Sequence, residues 1–170
     1  MQAMLKSIPV LITSLFFYCT VNAQQADSTL KRSTVKSLTD KQYNALLKGE
    51  DLYGMPVVAE LNHFPMPDKV IKYKKELDLS PSQITKIGAI ATELHRKRVE
   101  MGTFIITNEE TLDKIFRKQR LNNGDVIFYA TRSGLYYGEL RNAILQACLS
   151  TGDLLAPQQI KKLETLQNRN

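Results

Sequence analysis

Apolar residues recur at helical spacing over most of this chain. From Ile84, the positions Ile87, Ala91, Leu94, Arg98, Met101, Ile105, Asn108, Leu112 and Ile115 follow at intervals of 3 and 4. Eight of these ten are apolar, which makes a sustained heptad seam. No proline interrupts it between Pro81 and the "NNGD" stretch at Asn122 to Asp125. An unbroken helix of about 40 residues would be roughly 60 Å long, too long to be stable unless a second long helix lies beside it. Gly88, Gly102 and the β-branched "TFIITN" leave a break near Gly102 as the alternative. A second seam follows, through Val126, Ala130, Ser133, Tyr137, Leu140, Ile144 and Ala147. "NNGD" supplies the reversal, with Asp125 as the expected cap, and "STGD" ends the helix. The pattern predicts an all-α protein: a long antiparallel helical hairpin with short flanking helices. No stretch has strand periodicity.

The short helices announce themselves by a repeated five-residue pattern. "LTDKQ" (Leu38, Thr39, Gln42), "LSPSQ" (Leu79, Ser80, Gln83) and "LAPQQ" (Leu155, Gln159) share a leucine, a small residue, two free positions and a glutamine. Each reads as a helix start. Ser80 or Thr39 caps, glutamine at the third helical position reaches back, and proline in "LSPSQ" falls at the first position, where it is tolerated. Leu79 precedes its cap and can staple onto Ile84. Ala156 has no side-chain acceptor, so the third copy should start its helix less firmly, by roughly 1 kcal/mol. Gly49 should stop the first short helix. Three prolines and a glycine between Glu50 and Pro67 predict a loop holding at most one helical turn, and "DKVIKYKKELDL" puts Val70, Ile71 and Leu77 on one side of another short helix.

Composition adds compartment and excludes chemistries. Met1 to Ala23 has one lysine, an apolar run from Ile8 to Tyr18 and a "VNA" cleavage pattern, which reads as a signal peptide cut after Ala23. The run is short for a membrane span, and an uncleaved anchor is the alternative. Cleavage lowers the formal charge from +6 to +5 by removing Lys6 and leaves one cysteine, Cys148, so no disulfide framework exists within a monomer. Cys148 is expected as a packed helix residue, with an inter-chain cross-link as the alternative in an oxidising compartment. Gln24 to Lys36 is polar and aperiodic and reads as a flexible lead-in, placing the domain at 37–170. At 43% apolar and 24% charged, the rest suits one globular domain.

No Gly-rich phosphate loop and no nucleophile elbow is present, so an enzyme is not expected. Nucleic acid is not an expected partner of an exported chain. His63 and His95 are the two histidines and the weak candidates for a metal; a site needs three or four converging ligands, and neither has a His, Cys or carboxylate three or four places after it. Met55, Met66 and Met101 would be soft additions for copper. Arg98 is a cation on an otherwise apolar seam. It suits an amphipathic binding surface or an ion pair across a dimer.

These residues resemble the LTxxQ-motif Spy/CpxP-like periplasmic family. The stretch from Gly54 to Gln83, with Ala59 to Asn62, Pro65, Pro67 and then "LSPSQ", is similar to a block of its heavy-metal-resistance, periplasmic heavy-metal-sensor branch, and "LAPQQIKKLETL" to the closing motif. The resemblance implies a bent hairpin that dimerises antiparallel into a shallow cradle in the periplasm. In the chaperone branch, a basic concave face with apolar patches binds unfolded or misfolded envelope proteins without ATP and with no required cofactor. Arg98, Met101, Ile105, Arg117 and Lys118 are then expected to face the client. In the sensing branch, members hold a divalent metal ion or restrain a sensor kinase or anti-sigma partner. One departure stands out: "LRNAILQACLS" lacks the late histidines common in the metal branch.

Overall fold

The computed structural model describes residues 30–119 and 121–168, so the signal-peptide stretch lies outside the described residues. Six helices follow in order: α1 (Asp40–Lys48), α2 (Val57–Glu60), α3 (Pro67–Lys72), α4 (Pro81–Arg117), α5 (Asn123–Gly152) and α6 (Pro157–Gln167). No strand occurs among the described residues. None of their helices is long and apolar enough to cross a membrane.

The two long helices pack along one another, as the seams require. α4 runs for 37 residues without a break, about 55 Å. The break considered near Gly102 does not occur, and the glycine has another use. A Cβ built there would lie 2.8 Å from the carbonyl carbon of Leu46, closer than atoms tolerate. The bare backbone of Gly102 is the seat on which α1 crosses α4. Gly49 ends α1 in the left-handed region (φ 66°), where it returns its N–H to Ala45 and Leu46.

The expected caps form, with one exchange of roles. Thr39 and Ser80 each accept from the N–H of the glutamine three residues on, and that glutamine accepts from the cap backbone. In α5 the cap is Asn122, and Asp125 closes the box from the third position: Asn122 Oδ1 accepts from Asp125 N at 3.0 Å. The helix therefore starts before the apolar seam does. Asn122 was available one turn earlier, and asparagine caps as well as aspartate.

Two apolar clusters hold the fold. The larger gathers Leu38, Tyr43 and Leu46 from α1 and its approach, Leu94, Met101 and Ile105 from α4, and Leu140, Ile144 and Cys148 from α5. The smaller gathers Val70, Leu77, Leu79, Ile87, Leu155 and Leu163. Val35 also belongs to the larger cluster at 1% exposure. The domain therefore begins earlier than the polar composition of the lead-in predicts. Lys31 N–H donates to Asn44 Oδ1 at 3.0 Å, and Asn44 Nδ2 returns a bond to Lys31 O at 2.6 Å, which pins this strand of chain to α1.

Burial is uneven along the long pair. None of the described residues between 109 and 139 is buried. The first part of the α5 seam is thus open: Val126 is 40% exposed. The two helices lack a third helical layer there, because α2, α3 and α6 pack nearer the other end and α1 crosses α4 at Gly102, with only Ser37 and Thr34 of the chain before it reaching Glu109 and Glu110.

Candidate functional site

The repeated motif resolves into a specific structure at the end of the pair where α4 starts and α5 finishes. Gln83 Oε1 accepts from its own cap, Ser80 N, at 2.9 Å, and Gln159 Oε1 accepts from Ala156 N at 2.9 Å. Their amide nitrogens then cross over. Gln83 Nε2 donates to Leu154 O at 2.8 Å and to Gln159 Oε1 at 2.9 Å. Gln159 Nε2 donates to Leu77 O at 3.2 Å and to Gln83 Oε1 at 3.3 Å. Each glutamine caps one helix and fastens the chain leading to the other. Leu79 and Leu155, the leucines of the same two motifs, are both buried beneath them. Ala156 provides no side-chain bond, as its chemistry dictates, and the reciprocal half of the box survives alone. The first copy stands apart, because Leu38 packs in the other cluster. No catalytic geometry arises here; the motif is a clasp.

A groove of about 560 Å³ is lined by α4 and α5 alone. Ala89, Ile90 and Leu94 face Ala143 and Ala147 across its floor, with Met101 at one end. Glu93 and Lys97 stand on the α4 rim and Glu139 on the α5 rim. The α4 rim is tied into a ladder. Arg96 bonds Glu93 at 2.6 Å and Glu100 at 3.3 Å, and Lys97 bonds Glu100 at 3.0 Å. Arg96 holds the Glu93 carboxyl below its usual range, Lys97 does the same for Glu100, and the Arg96 guanidinium is raised in turn by Glu93. The rim therefore stays ionised through neutral pH. Its charge is mixed, not basic.

The residues expected to face a client are not brought together. Ile105 is buried in the core at 1% exposure, and Met101 at 9% reaches the groove only as part of its floor. The seam positions point at α1 and α5, and packing claims them. Arg98 is covered by α3: its side chain is 11% exposed, pairs with Asp68 at 3.5 Å and lies 3.8 Å from Met66 Sδ. Its Nε is buried with no partner. A cation on an apolar seam was thus a buried tie to a neighbouring helix. Arg117 and Lys118 are exposed, yet they sit where α4 ends, away from the groove; Arg117 pairs with Asp113.

The two histidines do not converge. His63 Nδ1 lies 2.6 Å from Glu164 Oε1, joining the loop after α2 to α6, and His95 is exposed on α4. No group of three His, Cys, Asp or Glu able to hold a metal occurs among the described residues. Cys148 is fully buried with its Sγ 3.4 Å from Met66 Sδ, and burial pushes its thiol up to about 11. A cross-link between folded chains through this sulfur is excluded by its burial.

Sequence reasoning missed the groove residues themselves. Ile90 and Ala143 border the seams and are only partly buried, and only the choice of which face α1 and α3 cover leaves them open. It also missed Tyr53, whose ring meets Tyr137 edge-on at 5.8 Å; burial and this neighbour raise the Tyr137 hydroxyl. Comparison with protein-family models, curated proteins and solved structures finds no match to this chain.

Proposed function

We propose that this is an exported, non-enzymatic helical protein that binds apolar segments of unfolded or misfolded envelope proteins without ATP, in the manner of the Spy/CpxP-like proteins its motifs resemble. The observation that carries the reading is the groove between α4 and α5. It offers an apolar floor of small and medium side chains, about 560 Å³ of space and ionised rims. Such a site takes many sequences weakly. Alanines on the floor admit side chains of different size, and the mixed rim repels neither charge sign strongly. A protein that must release its clients without ATP needs this shallow, adaptable contact.

In this reading the long pair is an antiparallel hairpin, and a second copy pairs with it to form a periplasmic cradle. The test is light scattering of an aggregating model client, with the chain at equal concentration, no ATP and a chelator present. Suppression is expected. Ala143→Glu, which puts a charge on the half-buried floor, should abolish most of it while leaving helix content unchanged. Equal suppression by this variant would remove the groove from the proposal.

A further inference from the structure

The end where the chain turns from α4 into α5 carries an exposed apolar cap of its own. Phe116 is 53% exposed, Val126 40%, Ile127 58% and Phe128 52%. Residues 126 to 128 are consecutive on a helix, so they point about 100° apart and wrap more than half of its circumference. A partner helix covers a single stripe, not such a cap. An end that is apolar over more than half of its circumference fits a medium that surrounds it.

The charges beside the cap point to which medium. Lys114 and Lys118 are exposed, and Arg132 lies over the Phe128 ring at 5.1 Å. The nearby carboxylates are already engaged: Asp113 pairs with Arg117, Asp125 accepts from Asn122 N, Glu109 accepts from Ser37 and Ser133, and Glu110 accepts from Thr34; against these four the sequence sets Lys114, Arg117, Lys118, Arg120 and Arg132. The surplus charge at this end is positive. Aromatic and aliphatic side chains ringed by cations are the combination that seats in the headgroup region of an anionic membrane, where apolar tips enter and the cations stay with the phosphates. A second copy meeting this end head-on would instead set Lys114 and Lys118 against their own counterparts.

We propose that the turn end of the α4/α5 pair is a contact site for an anionic lipid bilayer. This stands apart from the groove, which lies nearer the other end, and does not rest on the client-binding reading.

The chain contains no tryptophan, so a single substitution creates a single emitter. Phe128→Trp reports the cap, and Leu61→Trp reports an exposed position (76%) near the motif end. The full chain is mixed with phosphatidylglycerol vesicles or with phosphatidylcholine vesicles, and with brominated forms of each lipid. Emission of Phe128→Trp should shift to the blue and be quenched only by the brominated anionic lipid, and Leu61→Trp should not respond. Adding Lys114→Glu and Lys118→Glu to Phe128→Trp should weaken this partition about tenfold or more. Ile127→Trp serves as a second reporter if Phe128→Trp disturbs the turn, with helix content checked by circular dichroism. Three outcomes would overturn the proposal: no shift at the cap, an equal shift at Leu61→Trp, or a blue shift that needs no vesicles and grows with protein concentration. The last would assign the cap to a second copy.

Discussion

The two ends of the long helix pair are built from similar sequence and differ in what covers them. At one end α3 and α6 close over the pair, six apolar side chains are buried together, and two glutamines exchange bonds across the gap. At the other end the helices turn with a single capping box, nothing between 109 and 139 among the described residues is buried, and phenylalanines face solvent. Seam periodicity makes both ends helical. Only the clasp makes one end a closed core. Stability is thus concentrated where the motifs are, and the exposed apolar cap is left where they are not.

Glycine substitutions break this contrast most sharply. Gly102→Leu must displace α1 from its seat on α4 and should cost more than about 3 kcal/mol in urea unfolding, or prevent folding. Gly134 and Gly138 on α5 have nothing within 4 Å of a built Cβ, so Gly134→Ala should stabilise by about 0.5–1 kcal/mol. Destabilisation by Gly134→Ala would mean that a neighbour occupies that side.

The clasp comes next. Gln83→Ala should lower stability by about 2–3 kcal/mol, since it removes a cap bond and three crossing bonds at once. Adding Gln159→Ala should cost less than its single effect, with a coupling of about 1 kcal/mol in a double-mutant cycle. Strict additivity would show that the two side chains act separately. Ser80→Ala together with Gln83→Ala should likewise lower the melting temperature measurably; no loss would remove the capping argument.

Smaller effects follow from titration and from the rim. Burial holds the proton on Cys148 up to about 11, from an ordinary 9.0. Between these values the unfolded thiol has lost its proton and the folded one has not. Its stabilising contribution is therefore complete below about pH 9 and is lost as pH rises towards 11, with a slope of up to about 1.4 kcal/mol per pH unit. Cys148→Ala should flatten this part of the stability curve, and native Cys148 should resist thiol reagents at pH 8. Smallest of all, Arg96→Ala should leave the melting temperature unchanged, because the ladder with Glu93 and Glu100 is exposed.

Much of this architecture was legible in the sequence, because its signals are local. Thr39, Ser80 and Gly49 declare helix ends through residues three or four places away, and Ile87, Leu94, Ile144 and Ala147 declare a buried stripe. Relations between distant segments were not legible. Gln83 and Gln159 were visible as equivalent starts, but equivalence does not say that they bond to each other. Gly102 looked like a weakness because its use depends on α1, more than fifty residues earlier in the chain. Arg98, Met101 and Ile105 were assigned to a surface because periodicity gives a stripe without saying what covers it. The groove was hidden for the same reason.

The most direct test of the account is amide hydrogen exchange of the intact chain, alone and with an unfolded client. Alone, residues 81–105 and 140–163 should exchange slowly, and residues 109–139 distinctly faster. With client, added protection should centre on the groove segments 89–101 and 139–150. Uniform protection along both long helices would contradict the contrast between the ends, and client protection confined to other segments would contradict the groove.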